Sequence, residues 1–290
     1  MKDTTPFLID FVVPYVNNQD QVWRDTFVKF CSQNNMKDKI VELAGARYGG
    51  ITFIYDQLKL VNKNMPWVNK IYLLLSNKEQ IDKSKLPPNC VIVLHKDFIP
   101  SQFLPTFNSC SIEMFLWNIQ GLEEHFIYAN DDMLPIGEMK PSDFFTEDNK
   151  IKITWREDEF NEQMNAYGYQ CQNNVYYMCK ALNKKYEKLY RPAHSFTPMI
   201  KSHCKSAFKL LQNYIVPHIR AFRTIYQFNQ YIYPLYERYM FGTENTEIDF
   251  CYTELDGKEF DFKHQIICVN CEFKKEQIEK YHEGIKKLCE

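Results

Sequence analysis

The sequence predicts an α/β fold built on a largely parallel sheet, followed by a mainly helical second half. Three observations predict it: compact apolar runs of strand length, amphipathic segments of helical period between them, and a change of texture after about Trp155. Buried strands that alternate with helices are the pattern of a layered α/β domain.

The first run, Phe7 to Val13, is apolar except for Asp10 and is stopped by Pro14, so it reads as a buried first strand carrying one carboxylate that needs a reason. Gln21 to Ser32 then has helical spacing through Val22, Phe27, Val28 and Phe30, and Phe53 to Val61 has it through Ile54, Leu58 and Val61. Both read as amphipathic helices lying on a sheet. Lys70 to Leu75 and Cys90 to Leu94 are central strands, each bounded by polar residues or by prolines such as Pro87 and Pro88. Ser109 to Ile119 is helical in pattern, and His125 to Ala129 is a short strand ending at Asn130-Asp131-Asp132. Beyond Trp155 the candidate helices are Asn174 to Lys184, Lys201 to Asn213 and Tyr226 to Tyr239, followed by a strand at Gln265 to Val269 and a charged helix from Lys275. No repeat or Pro/Gly/Ser linker divides the chain. We read residues 1–155 as a Rossmann-like α/β core and residues 156–290 as a mainly helical part that completes the same site.

Composition narrows the function classes. Lys and Arg total 35 against 37 Asp and Glu, so no global basic field exists to hold nucleic acid. No stretch approaches the roughly 18 apolar residues of a membrane helix, and the N-terminus lacks a signal-peptide pattern, so a cytoplasmic location is expected. Ten cysteines among 290 residues are too sparse for a disulfide scaffold and read mostly as core filler. The exception is Cys268-Val-Asn-Cys271, half a zinc site or a redox pair with no second such pair to complete it.

The residues that suit chemistry are scattered along the chain. Asn130-Asp131-Asp132 follows a strand, and open α/β sheets bind ligands beyond the carboxyl ends of their strands. Adjacent carboxylates repel, so keeping both ionised requires solvent or a cation such as Mg²⁺ on a diphosphate; the alternative is a solvated Asx-rich turn. Asp10 needs a cation or donors for the same reason, unless it merely caps the loop Tyr15 to Asp20. Asn108 or Ser109 is the N-cap of a helix with Glu113 in its first turns, a place where free amides can meet a phosphate. His194 lies in a proline-bracketed loop, Arg191 to Pro198, that suits a positioned base, although a structural histidine is the commoner case. Arg223 has the planar fork that clamps phosphoryl oxygens, and taken alone it is indistinguishable from a surface arginine.

In their order these segments resemble the Stealth family, which includes bacterial capsular polysaccharide phosphotransferases and the catalytic subunit of the lysosomal-enzyme N-acetylglucosamine-1-phosphotransferase. The stretches that carry the resemblance are IDFVVPYVNNQD from Ile9, PWVNKIYLLL from Pro66, VIVLHKDFIP from Val91, LPTFNSCSIEMFLWNIQGLEEHFIYANDDM from Leu104, PAHSFTPM from Pro192 and FRTIYQFNQYIYPLY from Phe222. The resemblance implies a Rossmann-like, glycosyltransferase-like core and dependence on Mg²⁺ or Mn²⁺. It also implies transfer of a sugar-1-phosphate from a UDP-sugar donor to a carbohydrate acceptor, with release of UMP. Carried over by position, the family's functional residues fall on Asp10, Glu113, Asp131, Asp132, His194 and Arg223; Asp10, Asp131 and Asp132 are expected to hold the cation. Asp10, Asn108, Ser109 and Asn130 are expected to contact the donor. Two stretches depart from the family pattern: Arg47 to Tyr55 has Ile54 where Lys or Arg is usual, and Pro14-Tyr15 replaces a small or polar residue followed by Trp. A metal-dependent glycosyltransferase releasing UDP and an inactive sugar- or nucleotide-binding homologue are the competing readings.

Overall fold

The computed structural model of the chain describes residues 6–42, 53–158, 165–253, 263–269 and 283–289. Most of the Arg47 to Tyr55 block, Cys271 and the start of the expected helix at Lys275 lie outside these residues, while residues 283–289 are helical. The first half contributes strands β1 (Ile9–Pro14), β2 (Ile71–Leu75), β3 (Cys90–Leu94), β4 (His125–Tyr128) and β5 (Met133–Pro135). Its helices are α1 (Gln21–Gln33), α2 (Lys37–Glu42), α3 (Ile54–Asn64), α4 (His95–Phe98) and α5 (Ser109–Glu113). The second half adds β6 (Trp155–Asp158), β7 (Leu189–Pro192), β8 (Thr197–Ile200), β9 (Phe250–Thr253) and β10 (Ile266–Val269), with helices α6 (Ala166–Ala181), α7 (Lys201–Ile215) and α8 (Ile232–Met240).

Five strands form the main sheet in the order β3-β2-β1-β4-β8. The first four run parallel, and β8 closes the edge antiparallel to β4 with Tyr128 opposite Thr197. Alternate residues of the central strands enter opposite cores. Val12, Tyr72, Leu74, Phe126 and Tyr128 pack toward α6, α7 and α8, whereas Phe11, Val13, Ile71, Leu73 and Ile127 pack toward α3. Both faces are therefore covered, which is why these strands read as unbroken apolar runs. On α7 the buried positions Cys204, Ala207, Phe208, Leu211 and Ile215 keep the spacing of one helical face.

A second sheet, β5-β10-β9, joins a strand of the first half to two of the second, and β6-β7 is a separate ribbon. The α/β class and the mostly parallel sheet agree with expectation, but the second half holds more strand than its sequence suggests. Arg191 to Pro198 reads as a loop, yet Arg191 and Pro192 end β7 and Thr197 and Pro198 begin β8; Pro198 is tolerated there because the strand is an edge. The helix expected over Ser109 to Ile119 stops at Glu113, and a 3-10 turn follows at Leu116–Asn118. Side chains capture the local hydrogen bonds: Trp117 Nε1 donates to the Met114 carbonyl at 2.9 Å, and Tyr233 Oη donates to the Glu113 carbonyl at 2.9 Å.

Candidate active site

The carboxyl end of β4 is where the sequence-predicted residues converge. Its last residue, Tyr128, sits beside Thr197 of β8, so the turn Asn130-Asp131-Asp132 and the loop preceding β8 emerge at the same end of the sheet. Gln57 of α3 holds that turn from below, its Nε2 donating to the carbonyls of Asn130 at 2.7 Å and Met133 at 2.6 Å. From β10, the Val269 amide donates to the Asp132 carbonyl at 2.7 Å. A turn pinned from two sides fixes where its carboxylates project.

Those carboxylates are crowded. Burial, and next the neighbouring charge of Asp132, push the Asp131 carboxyl up to about 7, against the partial relief given by Arg223. Asp132 Oδ2 lies 3.9 Å from His194 Nε2, while its Oδ1 is buried with no hydrogen-bond donor among the described residues. His194 and Asp132 are thus neighbours across two segments, a partnership invisible in sequence.

Arg223 reaches the same place from the loop between α7 and α8. Its Nη2 donates to Ser109 Oγ, and its charge acts on both Asp131 and Glu113. Aromatic packing places the loop: Phe107 stacks on Phe222 with centroids 5.5 Å apart, and both pack on Phe27 and Phe30 of α1. Because Phe107 and Phe222 each lie next to or near a polar site residue, this cluster sets the spacing between Ser109 and Arg223.

Glu113 is buried among donors. Its Oε2 accepts from the Gln230 amide at 2.8 Å and its Oε1 from Tyr128 Oη at 3.1 Å. Burial nevertheless raises its carboxyl above the usual range, the donors and Arg223 pulling the other way. The same Tyr128 hydroxyl lies 3.0 Å from Asn130 Oδ1, so one phenol links Glu113 to the Asp-Asp turn.

Two expectations are corrected by geometry. Asp10 does not join Asp131 and Asp132: it stands near the amino end of β1, opposite Phe126, with the acidic turn beyond the other end of β4. There its oxygens accept from Asn69 Nδ2 at 2.9 Å, the Lys70 amide at 3.1 Å and the Glu123 amide at 2.8 Å. It ties the segments entering β2 and β4 to β1, and neither a cation nor a donor substrate at the acidic turn is within its reach. Asn108 is likewise occupied. Its Oδ1 caps the Cys110 amide at 3.1 Å, and its Nδ2 faces Ser111 Oγ at 3.1 Å, the Arg220 carbonyl at 3.0 Å and Gln227 Oε1 at 3.1 Å. Asn108 fastens the Arg223 loop to α5, a helix of five residues, and is itself 1% exposed, with nothing left for a phosphate.

The structure thus brings together Ser109, Glu113, Asn130, Asp131, Asp132, His194 and Arg223. Sequence reading missed Gln57, Tyr128 and Gln227. Gln57 had a signal, since it falls on the apolar face of α3 with Ile54, Leu58 and Val61, where a buried amide needs partners. Tyr128 and Gln227 have none that is visible without the fold.

Fold and site together define an α/β protein with acidic, basic and imidazole groups gathered beyond the carboxyl end of a largely parallel sheet. The family model for Stealth protein CR2, conserved region 2, matches residues 47–153. The chain is 31% identical over 263 residues to the capsular polysaccharide phosphotransferase LcbA of Neisseria meningitidis, an alignment covering 86% of this chain and 69% of that protein. It is 39% identical over 146 residues to the capsular polysaccharide phosphotransferase WcwK of Streptococcus pneumoniae, over 50% of this chain and 43% of that one. With the exopolysaccharide phosphotransferase cps2G of Lactiplantibacillus plantarum it shares 35% identity over 151 residues, covering 51% of this chain and 42% of that protein. The chain belongs to the Stealth family.

Among the described residues, no helix is long and apolar enough to cross a membrane.

Proposed function

We propose that the chain transfers a sugar-1-phosphate, N-acetylglucosamine-1-phosphate or another hexose-1-phosphate, from a UDP-sugar to a hydroxyl of a carbohydrate acceptor, in the synthesis of a capsular or cell-surface polysaccharide. The carrying observation is the convergence of Asp131, Asp132, His194 and Arg223 beyond the carboxyl end of β4. The names of the relatives, capsular and exopolysaccharide phosphotransferases, support the class of product. A cytoplasmic setting, at or near the inner membrane face, suits the reduced state of the described cysteines.

A divalent cation, Mg²⁺ or Mn²⁺, fits the acidic turn on two grounds: Asp132 Oδ1 is buried without a donor, and Asp131 is held near neutrality by burial and by its neighbour. Asp131 and Asp132 would hold it, and when bound it would offset the negative charge of the diphosphate. The remaining work falls to side chains of the chain itself. Arg223, aimed by Ser109 and Glu113, cradles the oxygens of the phosphoryl group. His194 takes the proton of the acceptor hydroxyl as that oxygen attacks the phosphorus next to the sugar, and Asp132 stabilises the imidazolium that results. One P–O bond forms to the acceptor, one breaks to UMP, and the phosphoryl group needs positioning more than covalent help.

The test is incubation of the full chain with UDP-N-acetylglucosamine, Mg²⁺ and a panel of carbohydrate acceptors. UMP with a phosphodiester in the product is expected. UDP with a glycosidic bond would make the protein a glycosyltransferase, and donor binding with no turnover on any acceptor would make it an inactive homologue.

A further inference from the structure

Cys268 is the motif residue to which the transfer reaction gives no task. Its sequence partner is Cys271, but β10 turns its thiol toward the acidic turn instead. Cys268 Sγ, a carboxylate oxygen of Asp132 and a ring nitrogen of His194 all lie within 4.8 Å of one another. Three separate segments supply them, and each is anchored by its backbone. Cys268 stands opposite Met133 in the β10-β5 ladder, the Val269 amide holds the Asp132 carbonyl at 2.7 Å, and the Ala193 amide donates to the Thr154 carbonyl at 2.8 Å. Cys268 is 1% exposed and the side chains of His194 and Asp132 are 22% and 24% exposed, so the cluster lies just beneath the surface. Asp132 Oδ1, buried and without a donor among the described residues, is a second sign that something is meant to sit there.

Sulfur, imidazole nitrogen and carboxylate oxygen are the donors of zinc, not of magnesium, which takes oxygen in an octahedron. With Zn–S near 2.3 Å and Zn–N near 2.0 Å, ligand atoms in a tetrahedral shell stand about 3.3–3.5 Å apart. The 3.9 Å between His194 Nε2 and Asp132 Oδ2 is already close to that, and side-chain rotation covers the rest. We propose that Asp132, His194 and Cys268 form a site for a thiophilic divalent cation, Zn²⁺, whose occupancy stops transfer by engaging the imidazole. On binding, the S–H bond of Cys268 breaks, an S–Zn bond forms and the proton passes to solvent; the imidazole binds through its neutral nitrogen, and nothing is oxidised or reduced. The inhibitory half rests on His194 as the base, but the binding half does not.

The experiment is therefore a binding measurement. The reduced full chain is titrated with Co²⁺ as the spectroscopic stand-in for Zn²⁺. Expected are one Co²⁺ per chain, a thiolate-to-cobalt charge-transfer absorption in the near ultraviolet, and its loss when Zn²⁺ is added. Cys268→Ala removes the absorption, and His194→Gln weakens Co²⁺ binding by more than about tenfold, the loss that even an outer partner's removal causes. Circular dichroism checks folding, and Cys268→Ser, closer in volume, replaces the alanine variant if that fails to fold. No charge-transfer band in the unmodified chain, or an undiminished band without Cys268, overturns the site, the latter because another of the ten cysteines would then be the ligand. Zn²⁺ should also block UMP release, reversibly with a chelator. Absence of the cobalt band in an unmodified chain that does release UMP would sink this site alone; a cobalt band in a chain that never releases UMP would sink the transferase reading and leave the site standing.

Discussion

The two ends of the β1-β4 pair present carboxylates under opposite conditions. At the amino end Asp10 is fully buried, and three N–H groups from Asn69, Lys70 and Glu123 converge on it. At the carboxyl end Asp131 and Asp132 stand side by side, one pushed up to about 7 and the other with an oxygen that no described donor reaches. A carboxylate saturated by amides is a structural tie. Carboxylates left crowded and short of donors are a site awaiting a positive charge; Asp10 is sealed among its donors, whereas Asp131 and Asp132 are partly exposed beyond the strand end.

The sharpest way to test this contrast is to cut on both sides of it. His194→Ala should lower turnover by about 10²–10⁴-fold with donor binding and folding nearly unchanged, as read by UMP release and by calorimetric titration with the UDP-sugar. Full turnover in that variant would remove the histidine from the reaction. At the other end Asp10→Ala strands three N–H donors, each costing about 1–3 kcal/mol when buried and unpaired, so a loss of about 3 kcal/mol or more in urea unfolding is expected. The variant that remains folded should bind donor normally; weakened cation binding there would return Asp10 to the site.

Asp131→Asn reverses the sign. Removing one of two repelling charges should abolish cation-dependent turnover yet stabilise the cation-free protein by about 1 kcal/mol near pH 8, measured by thermal melting. The smallest effect is in the pH dependence. Because the folded-state value of Asp131 lies above the ordinary 3.8, the folded protein holds a proton that the unfolded chain has lost. The resulting stability is present below pH 3.8, declines as pH rises toward about 7 and is gone above it. Asp131→Asn should flatten that decline, and saturating Mg²⁺ should move it to lower pH.

Much of this frame was legible in the chain. Ile71 to Leu75 is recognisable because a strand buried on both faces leaves no polar residue to break the run, whereas Cys90 to Leu94, expected as a central strand, is the edge strand of the sheet with Val91 exposed, and its apolar run alone does not tell edge from centre. The acidic turn was legible as well, since it follows such a run directly. Asp10 was misassigned because a linear reading cannot tell which end of a strand faces the ligand edge; that depends on strand order and direction. Asn108 was recognised as a cap, but its amide also fastens Arg220 and Gln227, more than 100 positions away. Cys268 looked local beside Cys271, while its neighbours in space come from β5 and from the loop before β8. Contacts of that span carry no periodicity and no motif.

One backbone bond has a consequence for how the protein is made. The amide of Val269 grips the carbonyl of Asp132, so the turn that carries the acidic pair waits for a strand synthesised far later. His194 and Arg223 also follow the four parallel strands they serve. As the chain leaves the ribosome, β1 to β4 can assemble while the machinery around them is still missing. Competence arrives last, and a polypeptide cut short before β10 would carry the parallel sheet without the clasp that aims its acidic pair.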